Sequence, residues 1–223
     1  MTKKISPFWF LLFVPVIFVC WFIIRKNNDK PLKELPFFGP KVYGTSKKSD
    51  LHTVGEFSFT DQFGETFSSK NTAGKIYVTE FFFTTCHSIC PVMNSNLQRV
   101  YSAFKDADDV LILSHTVDPE IDTVQALKAY ADRHGVNDKR WIFLTGPKQS
   151  LYEMARKSYL LNAEEGNGGP DDFIHTQNFA LIDKEKHIRG YYDGTDTSEV
   201  NRLIKDIQLL KKFYAYEKNN SAH

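Results

Sequence analysis

The stretch from Lys75 to Val92 constrains the fold of this chain more than any other segment. Its residues from Ile76 to Phe83 indicate a buried strand, and a turn with two cysteines follows. Pro91 suits the first turn of a helix, because its missing N–H would have no intrahelical acceptor there. The sequence therefore predicts a strand–turn–helix unit that holds Cys86 and Cys90 between the strand end and the helix start.

Two cysteines at this kind of junction indicate chemistry rather than packing. Backbone N–H groups and the helix dipole favour negative charge at a helix N-terminus, so a thiolate is stabilised there. Two thiolates with Cys-x-x-x-Cys spacing can close a disulfide or bind a soft metal ion. A lone cysteine is usually a small buried hydrophobe, but a pair beside a proline indicates a functional site.

The composition allows one substantial domain with appendages and argues against two classes of protein. With 223 residues, 42% of them hydrophobic, the chain can bury a sizeable core. Lys and Arg total 28 against 27 for Asp and Glu, so no basic excess indicates binding to nucleic acid. Only 3 cysteines are present, which is too few for a disulfide-stapled scaffold.

The N-terminal part of the chain predicts a membrane anchor. The run from Phe8 to Ile24 is apolar apart from Pro15 and Cys20, and with Ile5 included it approaches the roughly 17–25 residues that a membrane helix needs. No Ala-x-Ala-like cleavage site is visible, and bulky residues precede Cys20 where a lipoprotein has small ones. We therefore expect an uncleaved single transmembrane helix at residues 8–24, after a short tail at residues 1–7.

A linker, a domain and a polar tail follow the anchor. The linker, residues 25–54, is rich in proline and glycine; its apolar segment Leu35 to Phe38 is expected to pack on the domain, and His52 to lie in a solvated loop. Counting the basic residues that flank the anchor slightly favours a cytoplasmic domain, although acidic residues interleave. The domain is predicted at residues 55–212, and the tail, 213–223, is expected to end in disorder.

The order of strand and helix patterns predicts an α/β fold. A hairpin around the turn Asp61 to Glu65 precedes the strand with the cysteines, and two further strand–helix pairs start at Val110 and Trp141. A flexible acidic loop from Leu160 to Phe173 then leads to a second hairpin and a last helix. This order matches a thioredoxin-like sheet with an N-terminal β-hairpin, a fold that carries thiol chemistry at the start of its first helix.

Several motifs within this order resemble those of one protein family. They are Phe57-Ser58-Phe59-Thr60-Asp61-Gln62, Phe83-Thr84-Thr85-Cys86 with Cys90-Pro91, Val117-Asp118-Pro119-Glu120-Ile121-Asp122-Thr123, Leu144-Thr145-Gly146, and His175 shortly before Phe179-Ala180-Leu181-Ile182-Asp183. Together they resemble the SCO/SenC proteins, membrane-anchored copper proteins tied to cytochrome c oxidase assembly. The resemblance covers roughly residues 55–210 and is specific, whereas Cys-x-x-x-Cys alone would be a weak signal.

The resemblance implies a copper site made by Cys86, Cys90 and His175. Thiolates are soft and select Cu(I), while an imidazole also suits Cu(II), so this ligand set can hold both oxidation states. We expect a Cys86–Cys90 disulfide to form readily on oxidation and to prevent copper binding, because ligation needs thiolates. Without the resemblance, His175 would be interpreted as a loop histidine bonded to Asp171 or Asp172.

The residues between the cysteines depart from the family pattern. Family members commonly have a proline and an acidic residue there, where this chain has His87-Ser88-Ile89. We expect the missing acidic residue to alter the thiol pKa, and His87 to point to solvent. Asp118 matches a family acidic position near the site, where it would support the ligands, but it fits equally well as a helix N-cap. Asp122 and Thr123 are the other candidates for that cap.

The resemblance implies a metallochaperone that delivers copper to the binuclear copper site of a cytochrome c oxidase subunit. The alternative is a thiol–disulfide oxidoreductase that keeps the cysteines of that subunit reduced, and a peroxidase fits less well. The longer cysteine spacer and Ile174-His175, in place of the proline of such oxidoreductases, favour copper. Other copper chaperones or thiol reductants are further partners. No Arg- and Ser-rich mitochondrial presequence is visible, which favours a bacterial protein. The expected location is the inner membrane, with the domain facing the periplasm, where the resemblance places the acceptor site.

Overall fold

The computed structural model describes residues 15, 18–22, 34–40, 51–161, 174 and 176–220 of the chain. Two compact units are present, Met1–Lys33 and Glu34–His223. The described residues of the first unit are helical and exposed. No helix among the described residues is long and apolar enough to span a membrane. Most of the predicted anchor, residues 8–24, lies outside the described residues, so the anchor stays a prediction.

A mixed sheet of seven strands organises the described part of the second unit. In chain order the strands are β1 (Ser58–Asp61), β2 (Thr66–Ser68), β3 (Ile76–Phe82), β4 (Val110–Thr116), β5 (Trp141–Thr145), β6 (Asn178–Ile182) and β7 (Ile188–Asp193). Their order across the sheet is β2-β1-β5-β4-β3-β6-β7. β3, β4 and β5 are parallel, and the hairpins β1–β2 and β6–β7 join this centre in the antiparallel sense. The predicted α/β order with an N-terminal hairpin is confirmed.

Helices cover both faces of this sheet. They are α1 (Cys90–Ala103), α2 (Val124–Arg133), α3 (Lys148–Glu153) and α4 (Thr197–Asn220), with a 3₁₀ turn at Ser69–Thr72 and a π-helical turn at Met154–Ser158. One apolar core receives Leu97 of α1, Leu127 of α2 and Leu203 of α4. The core on the other face receives Leu151 of α3 together with the aromatic residues around β1.

β3 is the central strand that leads to the cysteines. All of its residues are buried, because β4 and β6 flank it and both faces of the sheet are covered. Val78 and Phe82 lie in the core beneath α1, whereas Tyr77 and Phe81 lie in the opposite core. Since side chains alternate along a strand, Glu80 faces the α1 side of the sheet.

α1 begins at Cys90 and has Pro91 in its first turn, as predicted. A proline there removes no intrahelical hydrogen bond, so the helix can start directly after the turn that holds Cys86. Met93 and Leu97 are buried on one face of α1 at helical spacing. Met93 is only 1% exposed and is a core residue, which confirms the prediction from its apolar stripe.

The connection from β4 to α2 shows which residue caps α2. Thr123 is the N-cap, and its side-chain oxygen accepts a hydrogen bond from the N–H of Ala126 at 3.3 Å. Asp118 lies earlier, in a turn where its carbonyl accepts from the N–H of Asp122 at 2.8 Å. The interpretation of Asp118 as the helix cap is therefore wrong, because the turn separates it from the helix start.

The segment around Leu35 packs on the domain, as predicted, and it does so against β7. The N–H of Phe38 donates to the carbonyl of Ile188 at 2.9 Å. The buried guanidinium of Arg189 donates to the carbonyl of Pro36 at 3.1 Å and to the carboxylate of Asp183 at 2.8 Å. The bonds of Phe38 and Pro36 hold this part of the predicted linker against the last strand.

The surroundings of His52 differ from those predicted. Its ring is half-buried, and Nε2 lies 2.7 Å from the carbonyl oxygen of Ser158. The expectation of a solvated loop histidine is therefore wrong, because the loop folds back onto the π-helical turn.

The C-terminal helix is longer than its apolar pattern predicts. α4 continues through Asn220, so the expected disorder near the end of the chain is wrong for residues up to that point. The extension has two supports in the described residues: Tyr214 packs partly buried against the core, and the Lys211 ammonium pairs with Asp109. Neither proline nor glycine interrupts residues 211–220, so nothing in the local sequence ends the helix sooner.

Candidate metal centre

Cys86 and Cys90 lie where β3 passes into α1. The N–H of Cys86 donates to the carbonyl of Phe83 at 3.2 Å, which closes the turn after the strand. Cys90 is the first residue of α1. Both cysteines are free thiols and nearly buried, at 9% and 6% exposure. The structure therefore brings the two predicted sulfur ligands together at the carboxyl end of a central strand.

The two thiols differ in acidity. Burial raises the pKa of the Cys86 thiol, but hydrogen bonds from Cys90 and Ser88 outweigh burial, and the pKa lies below its ordinary value. The Ser88 Oγ atom is 3.6 Å from the Cys86 sulfur. For Cys90, burial and the neighbouring Cys86 together hold the pKa well above its ordinary value. The predicted lowering of a thiol pKa is confirmed in direction for Cys86, which is the first of the pair to ionise.

A buried carboxylate, Asp122, holds the turn that precedes Cys86. Both of its oxygens lie 3.2 Å from the N–H of Thr84, and one also accepts from the Thr84 hydroxyl. The hydroxyl of Thr116, at the end of β4, donates to the other oxygen at 2.5 Å. Asp122 therefore ties the thiol turn to the neighbouring strand, a role that the sequence reasoning missed. The available signal was that Thr84 and Asp122 both lie in the motifs that resemble the family.

A second carboxyl group, Glu80, lies beneath α1 on β3. It is 1% exposed and accepts a hydrogen bond from the Ser114 hydroxyl at 2.7 Å, and Ser114 in turn accepts from the Trp141 indole at 2.9 Å. Burial raises the pKa of Glu80 to about 8, although the hydrogen bond from Ser114 acts to lower it. Its charge also contributes to the raised pKa of Cys90. The signal for Glu80 in the sequence was an acidic residue within an otherwise buried strand pattern.

The remaining predicted site residues are placed only in part. His175 lies outside the described residues, as do Asp171 and Asp172, so its role as a ligand stays a prediction. Among the residues that the structure describes, no group of three or more His, Cys, Asp or Glu side chains is placed to hold a metal ion. His87 is exposed, as predicted, and Asp118 is half-exposed.

A cavity of about 570 Å³ opens beside Cys86, between α1 and α2. It is lined by Thr84, Thr85, Cys86, His87, Pro91, Asn94, Ala126, Ala129, Tyr130, Arg133 and His134. Asp118 is not among these lining residues. The thiol of lower pKa is therefore the one that adjoins open space.

Comparison with known proteins identifies close matches to this sequence and fold. The SCO1/SenC family model matches residues 45–211. The SCO1 protein homolog of Bacillus subtilis (strain 168) is 31% identical over 159 residues, which are 70% of this chain and 82% of that protein.

Two solved structures share the thioredoxin-like α/β fold seen here. BsSco, described as a member of the Sco family of cytochrome c oxidase assembly proteins with a disulfide switch, aligns with a TM-score of 0.60 and 30% identity over 70% of this chain and 92% of its own. Bradyrhizobium japonicum ScoI with copper bound aligns with a TM-score of 0.56 and 27% identity, over 71% of this chain and 99% of its own. The chain therefore belongs to the SCO1/SenC family.

Proposed function

We propose that this protein binds copper through Cys86, Cys90 and His175 and acts in the assembly of cytochrome c oxidase. The observation that carries the proposal is the pair of free, nearly buried thiols at the β3–α1 junction, each close enough to shift the pKa of the other. Two relatives support it: ScoI was solved with copper bound, and BsSco belongs to a family of oxidase assembly proteins.

The donor set fits copper as a cargo that must be bound and released. Two thiolates suit Cu(I), and an imidazole from His175 adds a donor that also suits Cu(II). Binding requires both thiols to lose their protons. Cys86 ionises first because its pKa is lowered, and Cys90 gives up its proton to solvent only when the metal replaces it. The recipient in this proposal is the binuclear copper site of an oxidase subunit.

The location belongs to the same proposal. Residues 8–24 anchor the protein in a bacterial inner membrane, and the copper-binding domain faces the periplasm. The apolar run supports the anchor, and the position of the acceptor site on the outer side of the membrane supports the orientation.

Anaerobic copper titration of the full chain tests the ligand set. Cys86→Ser and Cys90→Ser should each abolish tight Cu(I) binding, because one thiolate is lost. His175→Ala should weaken copper binding by about 10-fold or more, with the larger loss for Cu(II). The exposed His87 provides the matched control, and His87→Ala should bind copper as the wild type does. Unchanged copper affinity in His175→Ala would contradict the proposed third ligand.

The opposite pKa shifts of the two thiols favour one alternative function, thiol–disulfide exchange. In that reaction the Cys86 thiolate attacks a partner disulfide and forms a mixed disulfide, releasing one partner thiolate. Cys90 then gives its proton to the partner thiolate released first and attacks the Cys86 sulfur, which releases the second partner thiolate and leaves a Cys86–Cys90 disulfide. Two electrons pass to the partner, and the lowered pKa makes Cys86 the attacking group.

Oxidase activity in cells that carry each variant separates the two functions. If copper delivery dominates, His175→Ala should lower oxidase activity under copper limitation, and added copper should restore it. If reduction dominates, His175→Ala should leave activity intact, and Cys86→Ser should abolish it with or without added copper. Full oxidase assembly by His175→Ala under copper limitation would overturn the delivery function.

A further inference from the structure

A continuous groove runs from the thiol pair along the surface between α1 and α2. The cavity beside Cys86 adjoins a second cavity of about 910 Å³ farther along α1. Four residues line both cavities: Pro91, Asn94, Arg133 and His134. The second cavity adds Ser95, Gln98, Arg99, Ser102 and Ala103. We call the joined cavities the α1–α2 groove.

The lining of the α1–α2 groove is cationic. It contains Arg99 and Arg133 but no aspartate or glutamate. Among the described residues neither arginine is paired with a carboxylate: Arg99 donates to the neutral amide of Asn201 at 2.7 Å, and Arg133 lies 5.4 Å from the ring centre of Tyr130. Asp132, beside Arg133 in the chain, pairs with Lys128 at 2.5 Å. Both guanidinium groups are therefore available to an anion.

The dimensions suit a short extended peptide. The groove follows α1 from Pro91 to Ala103, a rise of about 18 Å at about 1.5 Å per helical residue. An extended chain covers about 18 Å with five or six residues, at about 3.3 Å each. Such a segment offers carboxylates to Arg99 and Arg133, and one of its ends lies beside Cys86.

We propose that the α1–α2 groove docks an extended acidic segment of the protein that exchanges copper or electrons with Cys86. The docking role rests on the proposed function, because the groove is useful only if a partner must reach the thiol pair. Arg133 contributes most, since it lines both cavities and is exposed. Arg99 binds the part of the segment that lies farther from the thiols.

Fluorescence anisotropy of a labelled peptide tests the docking. The probe is a fluorescein-labelled peptide of alternating aspartate and serine, added to the reduced, copper-free full chain in neutral detergent. We expect saturable binding that weakens as salt is added. Arg133→Glu should weaken it by about 10-fold or more, because an attraction becomes a repulsion. Lys75→Glu provides the matched control. It makes the same change of charge beside the start of β3, at the end of that strand away from the thiols, and should leave binding unchanged.

Two results would overturn the docking. One is equal binding by Arg133→Glu, with far-ultraviolet circular dichroism showing that the variant is folded. The other is equal binding of a peptide with lysine in place of aspartate. Copper titration distinguishes this failure from failure of the proposed function, since Arg133→Glu keeps both thiols and should bind copper as the wild type does. Peptide binding by a wild-type protein that binds no copper would support the groove and overturn the copper function.

Discussion

Cys86 and Cys90 experience different surroundings although one turn holds them both. Cys86 adjoins open space and receives hydrogen bonds that stabilise its thiolate, whereas Cys90 is enclosed at the start of α1 near the buried Glu80. A helix N-terminus favours a thiolate in general, but burial and a neighbouring thiolate act against it at Cys90. The pair is therefore chemically asymmetric: Cys86 ionises first, and Cys90 keeps its proton longer.

The asymmetry predicts the order of alkylation. With iodoacetamide in limiting amount near neutral pH, Cys86 should be modified before Cys90, because the thiolate is the reactive form. Mass spectrometry of peptides from the reduced, copper-free protein measures the order, with Cys20→Ser in the background to remove the exposed third thiol. Ser88→Ala should slow modification of Cys86 by removing one hydrogen bond. Faster modification of Cys90 would contradict the assignment.

Glu80 predicts a loss of stability as pH rises. Its folded-state pKa of about 8 lies above the ordinary value, so the folded protein keeps a proton that the unfolded chain releases. The free energy of unfolding should therefore fall between the ordinary glutamate pKa and about pH 8, with a contribution of up to about 1.4 kcal/mol per pH unit, and level off above it. Urea unfolding across this range measures the slope.

Glu80→Gln should remove that contribution and be more stable than the wild type near pH 8. Glu120→Gln, on the exposed connection before α2, is the control and should follow the wild-type curve. Parallel curves for the wild type and Glu80→Gln would show that the carboxyl is not the titrating group.

At the level of single residues, sequence patterns could predict the roles that depend on local spacing. Met93 was predictable as core because it fits a helical stripe, and the cysteine pair because it precedes Pro91. Glu80 and Asp122 were not, because their partners lie in another segment: Ser114 is on β4, and Thr84 follows β3. Only the pairing of β3 with β4 brings those groups together.

The β3–α1 turn and the β4–α2 connection behave as one joined element. The two Thr84 donors and the Thr116 hydroxyl converge on one buried carboxylate, so each connection restrains the other. The position of Cys86 thus depends on a residue from a different segment. Local patterns could predict that both connections exist, but not that they are bonded to each other. Local patterns also left Thr123 and Asp122 as equal candidates for the cap of α2. The carboxylate of Asp122 accepts from Thr84 and Thr116 instead, and Thr123 is the cap.

Replacing the Asp122 carboxylate should weaken the link between the β3–α1 turn and the β4–α2 connection. Asp122→Asn keeps the size of the side chain but replaces one acceptor oxygen with a donor, so a bond from Thr84 or Thr116 is lost. We expect a loss of about 1–3 kcal/mol in the free energy of unfolding, measured with urea. Asp118→Asn, on the same connection but half-exposed, should change it by less than about 0.5 kcal/mol. Equal effects of the two substitutions would argue against the restraint.

At the scale of the whole molecule, periodicity could predict the sequence of strands and helices but not their arrangement. The buried runs at β3, β4 and β5 are typical of a parallel centre, and the turn around Gly64 predicted the first hairpin. The order β2-β1-β5-β4-β3-β6-β7 places β1 beside β5, far away in the chain, and that pairing leaves no local signal. The length of α4 also depends on tertiary contacts, since its last turns are polar.

The predicted membrane topology places the C-terminus on the outer side of the membrane. If residues 8–24 span the membrane with the domain outside the cytoplasm, a reporter that is active only outside the cytoplasm should be active when fused after His223. The matched fusion to a reporter active only in the cytoplasm should be silent. Activity from the cytoplasmic fusion alone would reverse the orientation. Recovery of a soluble mature chain that starts after residue 24 would argue against the anchor.

The contact between residues 35–38 and β7 has a practical consequence for any shortened form of this protein. β7 is an outer strand of the sheet, and exposed outer strands are templates for aggregation. The bond from Phe38 to Ile188 and those from Arg189 to the carbonyls of Leu35 and Pro36 cover this border. A truncation at residue 55 would strip that cover and remove the Leu35 and Pro36 acceptors of Arg189, which would keep only Asp183 among these partners. A fragment that begins at Glu34 would retain both the cover of β7 and the backbone acceptors of Arg189.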